Sequence, residues 1–250
     1  MNKYTKILIL IAFWAINVPT LVNAQAFPAN YSTHEVPSSV TFCGKSIDLT
    51  RYDRYERMDR ELLAFTYMHS TSIQMIKKAN RYFPIVEPIL KANGIPDDFK
   101  YLMVIESNLN PNARSGAGAA GLWQFMLRTG KIYGLENNSL VDERRDPIKS
   151  TWAAARYLKD LYNIYKDWNL VLAPHNCGPG NVNRAIARAG ENAKSFWDIY
   201  DYLPRETRGY VPKFIAATYV YAYHELHGIK AKTTPECIST DTVMVNRTMH

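Results

Sequence analysis

The sequence predicts an all-α fold, because apolar residues recur at helical spacing along most of the chain between residues 53 and 227. Clusters of glycine and proline, such as residues 178–180, mark turns between the helical stretches. Residues 25–50 have an irregular or extended pattern, and residues 242–246 resemble a strand. We therefore expect a helical domain with a non-helical segment on each side.

Local signals place the individual helices. Asp97 or Asp98 is a good helix start, and residues 108–111 form a good stop. Asp146 followed by Pro147 is typical of an N-cap and a first helical turn. The helices are expected at 53–69, 71–80, 82–93, from 97 or 98 to about 108, and at 147–166, 168–176, 181–189 and 210–227, with a short segment at 121–126.

The first residues have the pattern of a secretory signal peptide. Lys3 and Lys6 precede an apolar run, and small residues before and at Ala24 form a cleavage site, with an uncleaved anchor as the alternative. The apolar run is short for a membrane span, and no cysteine stands at the cleavage point, so no lipoprotein anchor is expected. The expected order is a signal peptide (1–24), an irregular N-terminal segment (25–50), N-terminal helices (51–93), the main helical domain (94–228) and a C-terminal extension (229–250) that resembles the start of a further module.

Glu106 is the strongest candidate for a catalytic group. It stands seven, four and three residues after Phe99, Leu102 and Met103, so it shares the apolar face of their helix. Burial there disfavours the charged form, which predicts a raised pKa and a carboxyl group that can donate a proton near neutral pH. A buried glutamate held by a structural partner explains the spacing equally well. A Gly-rich turn and an aromatic, amide-bearing segment follow at 115–126, which favours a carbohydrate cleft around a single acid.

Five motifs follow one another along the chain, at 106–111, 118–126, 141–147, 176–182 and 203–212. In this order they resemble the transglycosylase domain of lytic murein transglycosylases, nearest to the D-type subfamily, over about 94–227. The resemblance implies a lysozyme-like all-α fold with a glycan-binding groove. It also implies an enzyme without a cofactor that cleaves peptidoglycan between N-acetylmuramic acid and N-acetylglucosamine. The muramic acid's own primary hydroxyl would close an anhydro ring, with Glu106 acting first as acid and then as base and the acetamido group stabilising the cationic transition state.

The resemblance also implies a set of substrate-binding residues. Ser115 and Gln124 would lie near the acid and the sugar, Gly121 would permit close approach of the chain, and Met126 would line the floor of the cleft. By motif position the full set is Ser107, Ser115, Gly121, Gln124, Met126, His175, Asn176, Glu206 and Tyr210.

Several of these positions also have a structural interpretation. Trp123, Phe125 and Met126 are neighbouring apolar residues of the kind that usually form core. Glu206 and Tyr210 stand four residues apart, so they share a helix face whether or not a sugar lies nearby.

Two residues depart from the family pattern. His175 stands where the family has a tyrosine whose hydroxyl lies near the acid and the acetamido group. A neutral histidine can donate one hydrogen bond from a different height and angle, and a cationic one lowers the pKa of Glu106. Pro174 costs about 3 kcal/mol if the helix that begins near Trp168 continues through it. Both changes bear on the rate and leave the acid and the rest of the cleft pattern intact.

The charge and the cysteine content limit which ligands and which disulfide bonds are expected. The formal net charge is +7, and removal of the signal lysines leaves about +5, which suits an anionic cell-wall polymer. Basic residues are dispersed and His224 and His227 lack a third ligand, so neither nucleic acid nor a metal is expected. Cys43 and Cys237 flank the helices and can form a disulfide in an oxidising compartment, although three pairings are open. Cys177 lies where the family has alanine or cysteine and is expected to be a small packing residue.

We therefore expect an exported lytic transglycosylase of the periplasm or cell envelope, bound to glycan strands and loosely associated with membrane or wall. A goose-type lysozyme-like hydrolase, in which water replaces the internal hydroxyl, is the first alternative, and the single acid together with residues 142–147 favours the transglycosylase. A non-catalytic peptidoglycan-binding protein is the second alternative, motivated by His175 and Pro174. A pure scaffold gives no reason for an acid on an apolar face beside a Gly-rich turn.

Overall fold

The computed structural model describes residues 36–67, 69–190, 192–225 and 229–231, and within them the all-α prediction is confirmed. Two short strands, β1 (Ser39–Phe42) and β2 (Lys45–Asp48), form an antiparallel hairpin within the stretch predicted to be irregular or extended. The predicted signal peptide, Cys237 and the strand-like segment at 242–246 lie outside the described residues.

Helices make up most of the described chain. Short 3-10 helices cover Asp97–Tyr101, Glu143–Arg145 and Tyr200–Tyr202. The α-helices are α1 (Tyr52–Tyr67), α2 (His69–Ala92), α3 (Leu102–Ser107), α4 (Leu127–Ile132), α5 (Pro147–Tyr165), α6 (Trp168–Cys177), α7 (Pro179–Ala189) and α8 (Arg205–Tyr223). No helix among the described residues is long and apolar enough to cross a bilayer.

Helix α8 lies at the centre of the core. It packs against α1, α3, α6 and the first 3-10 helix. Its fully buried Phe214 contacts Phe42 of the hairpin at a ring distance of 5.0 Å and Phe99 at 6.2 Å, and Phe99 in turn contacts Trp168 at 5.2 Å. This aromatic cluster fixes α8 and α6 relative to the segment that carries Glu106, because large buried rings contribute strongly to packing.

The predicted break between 80 and 82 is wrong, since α2 runs without interruption to Ala92 and contains Pro84 and Pro88. Each proline removes one backbone donor, which normally weakens a helix. Here an unbroken apolar stripe holds both halves against the core, with buried side chains at Ile76, Ala79, Phe83, Val86 and Leu90.

The predicted helix start at Asp97 or Asp98 is confirmed, because a 3-10 helix begins at Asp97, but neither side chain caps it. The chain enters through Pro96 and a 3-10 turn without a side-chain cap, and the two carboxyl groups have other partners. Asp98 Oδ2 accepts the Cys43 backbone N–H at 2.8 Å, and Asp97 pairs with Lys100 at 2.6 Å. The predicted stop is confirmed, because Asn108 adopts the left-handed conformation at φ 50° and ends α3.

The later boundaries agree more closely with the predictions. Asp146 Oδ1 caps α5 by accepting the backbone N–H groups of Ile148 and Lys149, each at 2.8 Å. Helix α6 continues through the buried Pro174, and Gly190 ends α7 as expected. Helix α8 starts at Arg205, earlier than predicted, because the extended Pro204 leads directly into it. Helix α4 was not predicted, and its one buried residue is Gly130, so it has no apolar stripe to reveal it.

Candidate active site

Glu106 lies in the last turn of α3. Leu102, Met103 and Val104 of the same short helix are buried and anchor it in the core. The Glu106 side chain is 19% exposed. The predicted position on the apolar face is therefore confirmed, with the carboxyl group at the edge of the core.

Two side chains hold one oxygen of this carboxyl group. The hydroxyl of Tyr210, on α8, donates a hydrogen bond to Glu106 Oε1. His175 Nε2, on α6, lies 3.4 Å from the same oxygen. Among the described residues no hydrogen-bond donor contacts Oε2, so that oxygen is free to exchange a proton with a bound molecule.

The expectation of a raised pKa is wrong for Glu106. Burial does raise the pKa of this carboxyl group, and it is the largest single influence. The hydrogen bond and positive charge of His175, the hydrogen bond from Tyr210 and the charge of Lys213 together outweigh it and hold the pKa below its ordinary value. The apolar face was correctly recognised, but the polar partners brought in by α6 and α8 are not visible in the local pattern. Glu106 is therefore ionised near neutral pH in this arrangement.

Tyr210 remains a hydrogen-bond donor over the whole working pH range. Burial and the neighbouring Glu106 carboxylate raise the pKa of its phenol well above the ordinary value. Its O–H bond can therefore stabilise the charged form of Glu106 without losing its own proton.

The Gly-rich turn after α3 is held together by predicted site residues. The Ser107 hydroxyl lies 2.9 Å from the Met103 carbonyl oxygen and 3.0 Å from that of Leu122, which ties the end of α3 to the turn. The Ser115 hydroxyl accepts the Ala119 N–H at 3.0 Å. These two hydroxyl groups therefore have partners within the turn, and their assignment as substrate contacts stays a prediction.

Gln124 has an unusual backbone conformation for a residue with a side chain, at φ 49°. Its amide Nε2 donates to the Gly121 carbonyl oxygen at 2.8 Å and lies 3.3 Å from that of Ala113. The side chain thus closes the turn on itself. A strained conformation fixed in this way is common at functional sites.

A glycine is required at position 121 because the Gly-rich turn comes very close there to the backbone of Arg144. Gly121 has φ 85°, and a Cβ at this position would stand 1.7 Å from the Arg144 carbonyl oxygen. The buried Arg144 guanidinium forms two hydrogen bonds with Asp142, both at 2.8 Å, and donates to the carbonyl oxygens of Gly118 at 2.9 Å and Phe125 at 3.0 Å. The 141–147 motif therefore holds the turn in place, a role for Arg144 that the sequence motif alone did not reveal.

Asp142 is the acidic partner of Arg144. Its hydrogen bond from Arg144 is the main influence that lowers the pKa of the carboxyl group to about 2. The pair is bidentate, which is the strongest geometry for a guanidinium and a carboxylate.

The remaining predicted residues differ in their surroundings. His175 is 10% exposed, and its buried Nδ1 has no hydrogen-bond partner among the described residues. Asn176 Oδ1 accepts the Thr207 hydroxyl at 2.8 Å. Glu206 is exposed in the first turn of α8, and no described contact brings it to Glu106. Met126 is 45% exposed and is not core.

The core interpretation holds for the two aromatic residues next to Met126. Trp123 and Phe125 are buried, and Trp123 Nε1 donates to the Thr151 hydroxyl at 2.9 Å. This bond links the Gly-rich turn to α5. Both rings are therefore part of the core beneath the Gly-rich turn and are not exposed to a ligand.

A cavity of about 490 Å³ opens beside Glu106. Its lining includes the predicted residues Ser107, Ser115 and Gln124. It also includes a set that sequence reasoning did not single out, namely Thr71, Ser72, Met75, Arg114 and Lys213. Within the described ranges no group of three or more His, Cys, Asp or Glu side chains is placed to hold a metal ion.

The chain is similar to several known proteins. Residues 84–197 match the protein family described as "Transglycosylase SLT domain". The chain is 34% identical over 184 residues to "Membrane-bound lytic murein transglycosylase D" of Escherichia coli strain K12, which covers 72% of this chain and 39% of that protein. It is 37% identical over 127 residues to "Membrane-bound lytic murein transglycosylase F" of Shewanella sediminis, which covers 45% of this chain and 25% of that protein.

A solved structure also aligns with this one. The 70 kDa soluble lytic transglycosylase of Escherichia coli superposes with a TM-score of 0.48 and 25% sequence identity over 58% of this chain and 24% of that chain. The chain spans about two fifths of the length of the first curated relatives it matches. The similarity to the Transglycosylase SLT domain family lies in residues 84–197 of this chain.

Proposed function

We propose that this chain is an exported lytic transglycosylase that cleaves peptidoglycan between N-acetylmuramic acid and N-acetylglucosamine and leaves anhydro-muramyl ends. The observation that carries the proposal is a single, mostly buried carboxyl group, Glu106, held by Tyr210 and His175 at a cavity of an SLT domain. Relatives of the chain are named membrane-bound lytic murein transglycosylases.

The number of carboxyl groups supports an internal nucleophile. Glu106 is the one carboxyl group among the described residues that line the cavity. Ordinary glycosidases use two, about 5–9.5 Å apart, so that the second can attack the sugar or activate water. With one acid, the nucleophile is best supplied by the substrate, and the primary hydroxyl of muramic acid is suitably placed on the same ring.

The reaction balances without water. Protonated Glu106 gives its proton from Oε2 to the leaving glycosidic oxygen as the bond from that oxygen to the anomeric carbon breaks. The muramic acid hydroxyl then attacks the anomeric carbon and returns its proton to Glu106 as the anhydro ring closes. Tyr210 keeps its hydrogen bond to Oε1 throughout and stabilises the carboxylate formed between the two steps.

The lowered pKa of Glu106 sets the condition for the first step. A sugar that covers the carboxyl group removes water from it and strengthens the burial effect, which favours the protonated acid. Substrate binding therefore converts the ionised resting carboxylate into the acid that the reaction needs.

Export rests on the signal pattern of residues 1–24 and on the names of the relatives. The formal net charge of +7 favours attraction to an anionic wall polymer.

The proposal is tested by incubating the chain with purified peptidoglycan and weighing the released sugars by mass spectrometry. Anhydro-muramyl products are expected, and Glu106→Gln should abolish them while leaving the fold intact by circular dichroism. The control is Glu56→Gln, which removes an exposed carboxyl group on α1 that pairs with Arg60, and it should keep full activity. Substantial turnover by Glu106→Gln would contradict the assignment of the acid.

A non-catalytic glycan-binding protein is the second candidate, and the lowered pKa of Glu106 beside His175 is the observation that favours it. In that case the chain would sediment with peptidoglycan but release no sugars. Sedimentation by wild type and Glu106→Gln alike, without products from either, would establish this alternative.

A further inference from the structure

The cavity beside Glu106 has two cationic side chains in its lining. Arg114 precedes the Gly-rich turn, and Lys213 lies on α8 three residues after Tyr210. Both side chains belong to exposed residues. The charge of Lys213 is close enough to Glu106 to help lower the pKa of the carboxyl group.

Neither cation is neutralised within the part of the chain that the structure describes. Other basic residues of the domain have partners: Lys100 pairs with Asp97 and Glu87, and Arg144 pairs with Asp142. For Arg114 and Lys213 no carboxylate of the described residues lies within 4.0 Å. One carboxylate, Glu106, thus shares a cavity with two positive charges, so the site carries an excess of positive charge that favours an anionic ligand.

The first turns of α2 complete the wall. Thr71, Ser72 and Met75 line the cavity and precede the motif that contains Glu106 in the chain. Met75 is 1% exposed. A buried thioether next to hydroxyl groups offers both apolar and polar contacts to a substituted sugar. These residues and Lys213 lie outside the 84–197 family match, so this wall is a property of the chain beyond its SLT domain.

The cavity occupies one side of the acid. His175, which α6 brings to Glu106, and the adjacent Asn176 are not among the residues that line it. The positive charges of Arg114 and Lys213 therefore belong to the cavity on this side of Glu106.

We propose that this cavity binds the carboxylate-bearing substituent of a muramic acid residue, with Arg114 and Lys213 as its cationic contacts, so that the protein prefers carboxylated glycan strands to neutral ones. The inference rests on the proposed function, since it takes peptidoglycan as the ligand. The carboxylate can belong to the stem peptide or to the lactyl group that remains when the peptide is removed. Both sources present the same chemistry to a guanidinium and an ammonium group.

A binding measurement tests this proposal separately from the proposed reaction. Dissociation constants would be measured by calorimetry on the full chain carrying Glu106→Gln, so that the ligand is not cleaved. The three probes are glycan strands of equal length with stem peptides, the same strands after amidase removal of the peptides, and an uncharged N-acetylglucosamine oligomer. The test variant adds Arg114→Gln and Lys213→Gln.

The dissociation constant for the carboxylated strands should rise about tenfold in the test variant, as expected for the loss of two solvent-exposed ion pairs. The value for the uncharged oligomer should change less than about twofold. In the parent protein, raising the salt concentration should weaken binding of the carboxylated strands selectively, and the test variant should lose this difference. Weakening limited to peptide-bearing strands identifies the stem carboxylate, and weakening limited to the amidase-treated strands, in which the lactyl carboxyl group is free, identifies the lactyl carboxylate. Weakening of both shows that the site accepts either carboxylate.

The matched control variant carries Lys91→Gln and Arg188→Gln, which remove the same charge from exposed positions at the ends of α2 and α7. It should bind all three probes as the parent does. An equal loss for the control variant, an equal loss for the uncharged oligomer, or no binding of any glycan by the parent would each overturn the proposal. If the wild type releases no anhydro sugars but the selective loss of binding persists, the proposed reaction fails and the carboxylate site stands.

Discussion

The contact between Gly121 and Arg144 makes one substitution strongly destabilising. In Gly121→Ala the new Cβ would stand 1.7 Å from the Arg144 carbonyl oxygen, whereas ordinary contacts begin near 3.4 Å. The carbonyl would have to withdraw, and the guanidinium of Arg144 would lose part of its contact with Gly118 and Phe125. Strain at φ 85° costs about 1–2 kcal/mol for alanine. Each lost hydrogen bond to a charged group adds about 1.5–3 kcal/mol. We expect a loss of about 4 kcal/mol or more in the free energy of unfolding.

Two other glycines of the same turn serve as controls. Gly116→Ala meets no atom within 4 Å and has no positive φ, so it should leave stability nearly unchanged. Gly118→Ala also meets no atom but has φ 89°, so it should lose only the strain, about 1–2 kcal/mol. Urea unfolding followed by circular dichroism measures all three variants against wild type. If the free energies of unfolding of Gly121→Ala and Gly118→Ala differ by less than about 1 kcal/mol, the contact between residue 121 and the Arg144 carbonyl does not cause the expected destabilisation.

Two further predictions concern titratable groups. His175→Tyr removes the hydrogen bond and the positive charge of His175 that lower the pKa of Glu106, so this pKa should rise, and the range in which the acid is protonated should extend to higher pH. The pH profile of kcat/KM should show a shifted alkaline limb with activity maintained or raised, and a large loss at every pH would mean that His175 has a role of its own. Asp142→Asn should destabilise the protein, because the folded carboxyl group has a pKa near 2 against an ordinary value of 3.8. A lowered pKa contributes stability that is present above the unfolded value and is lost as pH falls through the folded value. The difference in Tm between wild type and Asp142→Asn should therefore shrink between pH 4 and about pH 2. A difference that stays constant over this window would show that the ion pair with Arg144 does not supply the stability.

The sequence was informative where the decisive interactions are local. The apolar spacing that places Glu106 on the buried face, the Asp146 cap and the stop at Asn108 each depend on neighbours within a few residues. Local patterns failed where packing decided the outcome. In α2 the core contacts carry the helix through Pro84, and at Asp98 the carboxyl group accepts the backbone N–H of Cys43, which is distant in the chain, instead of capping the helix.

The electrostatics of the site could not be predicted from the sequence in the same way. The sign of the Glu106 pKa shift depends on Tyr210 and Lys213, more than a hundred residues further along the chain, and on His175. The motif pattern predicted cleft positions for Tyr210 and His175 but did not give their distances to the carboxyl group. Arg114 and the residues of α2 had no motif to mark them, because their position at the cavity depends on how α2 and α8 meet α3.

The central claim is that Glu106 transfers protons for a reaction in which no water enters the product. It is tested most directly by digesting peptidoglycan in water enriched in ¹⁸O and analysing the newly formed muramyl ends by mass spectrometry. Anhydro ends without ¹⁸O, absent from the Glu106→Gln reaction, are the predicted result. Ends that carry one ¹⁸O would show that water attacks the sugar and that the protein is a hydrolase, which would contradict the account.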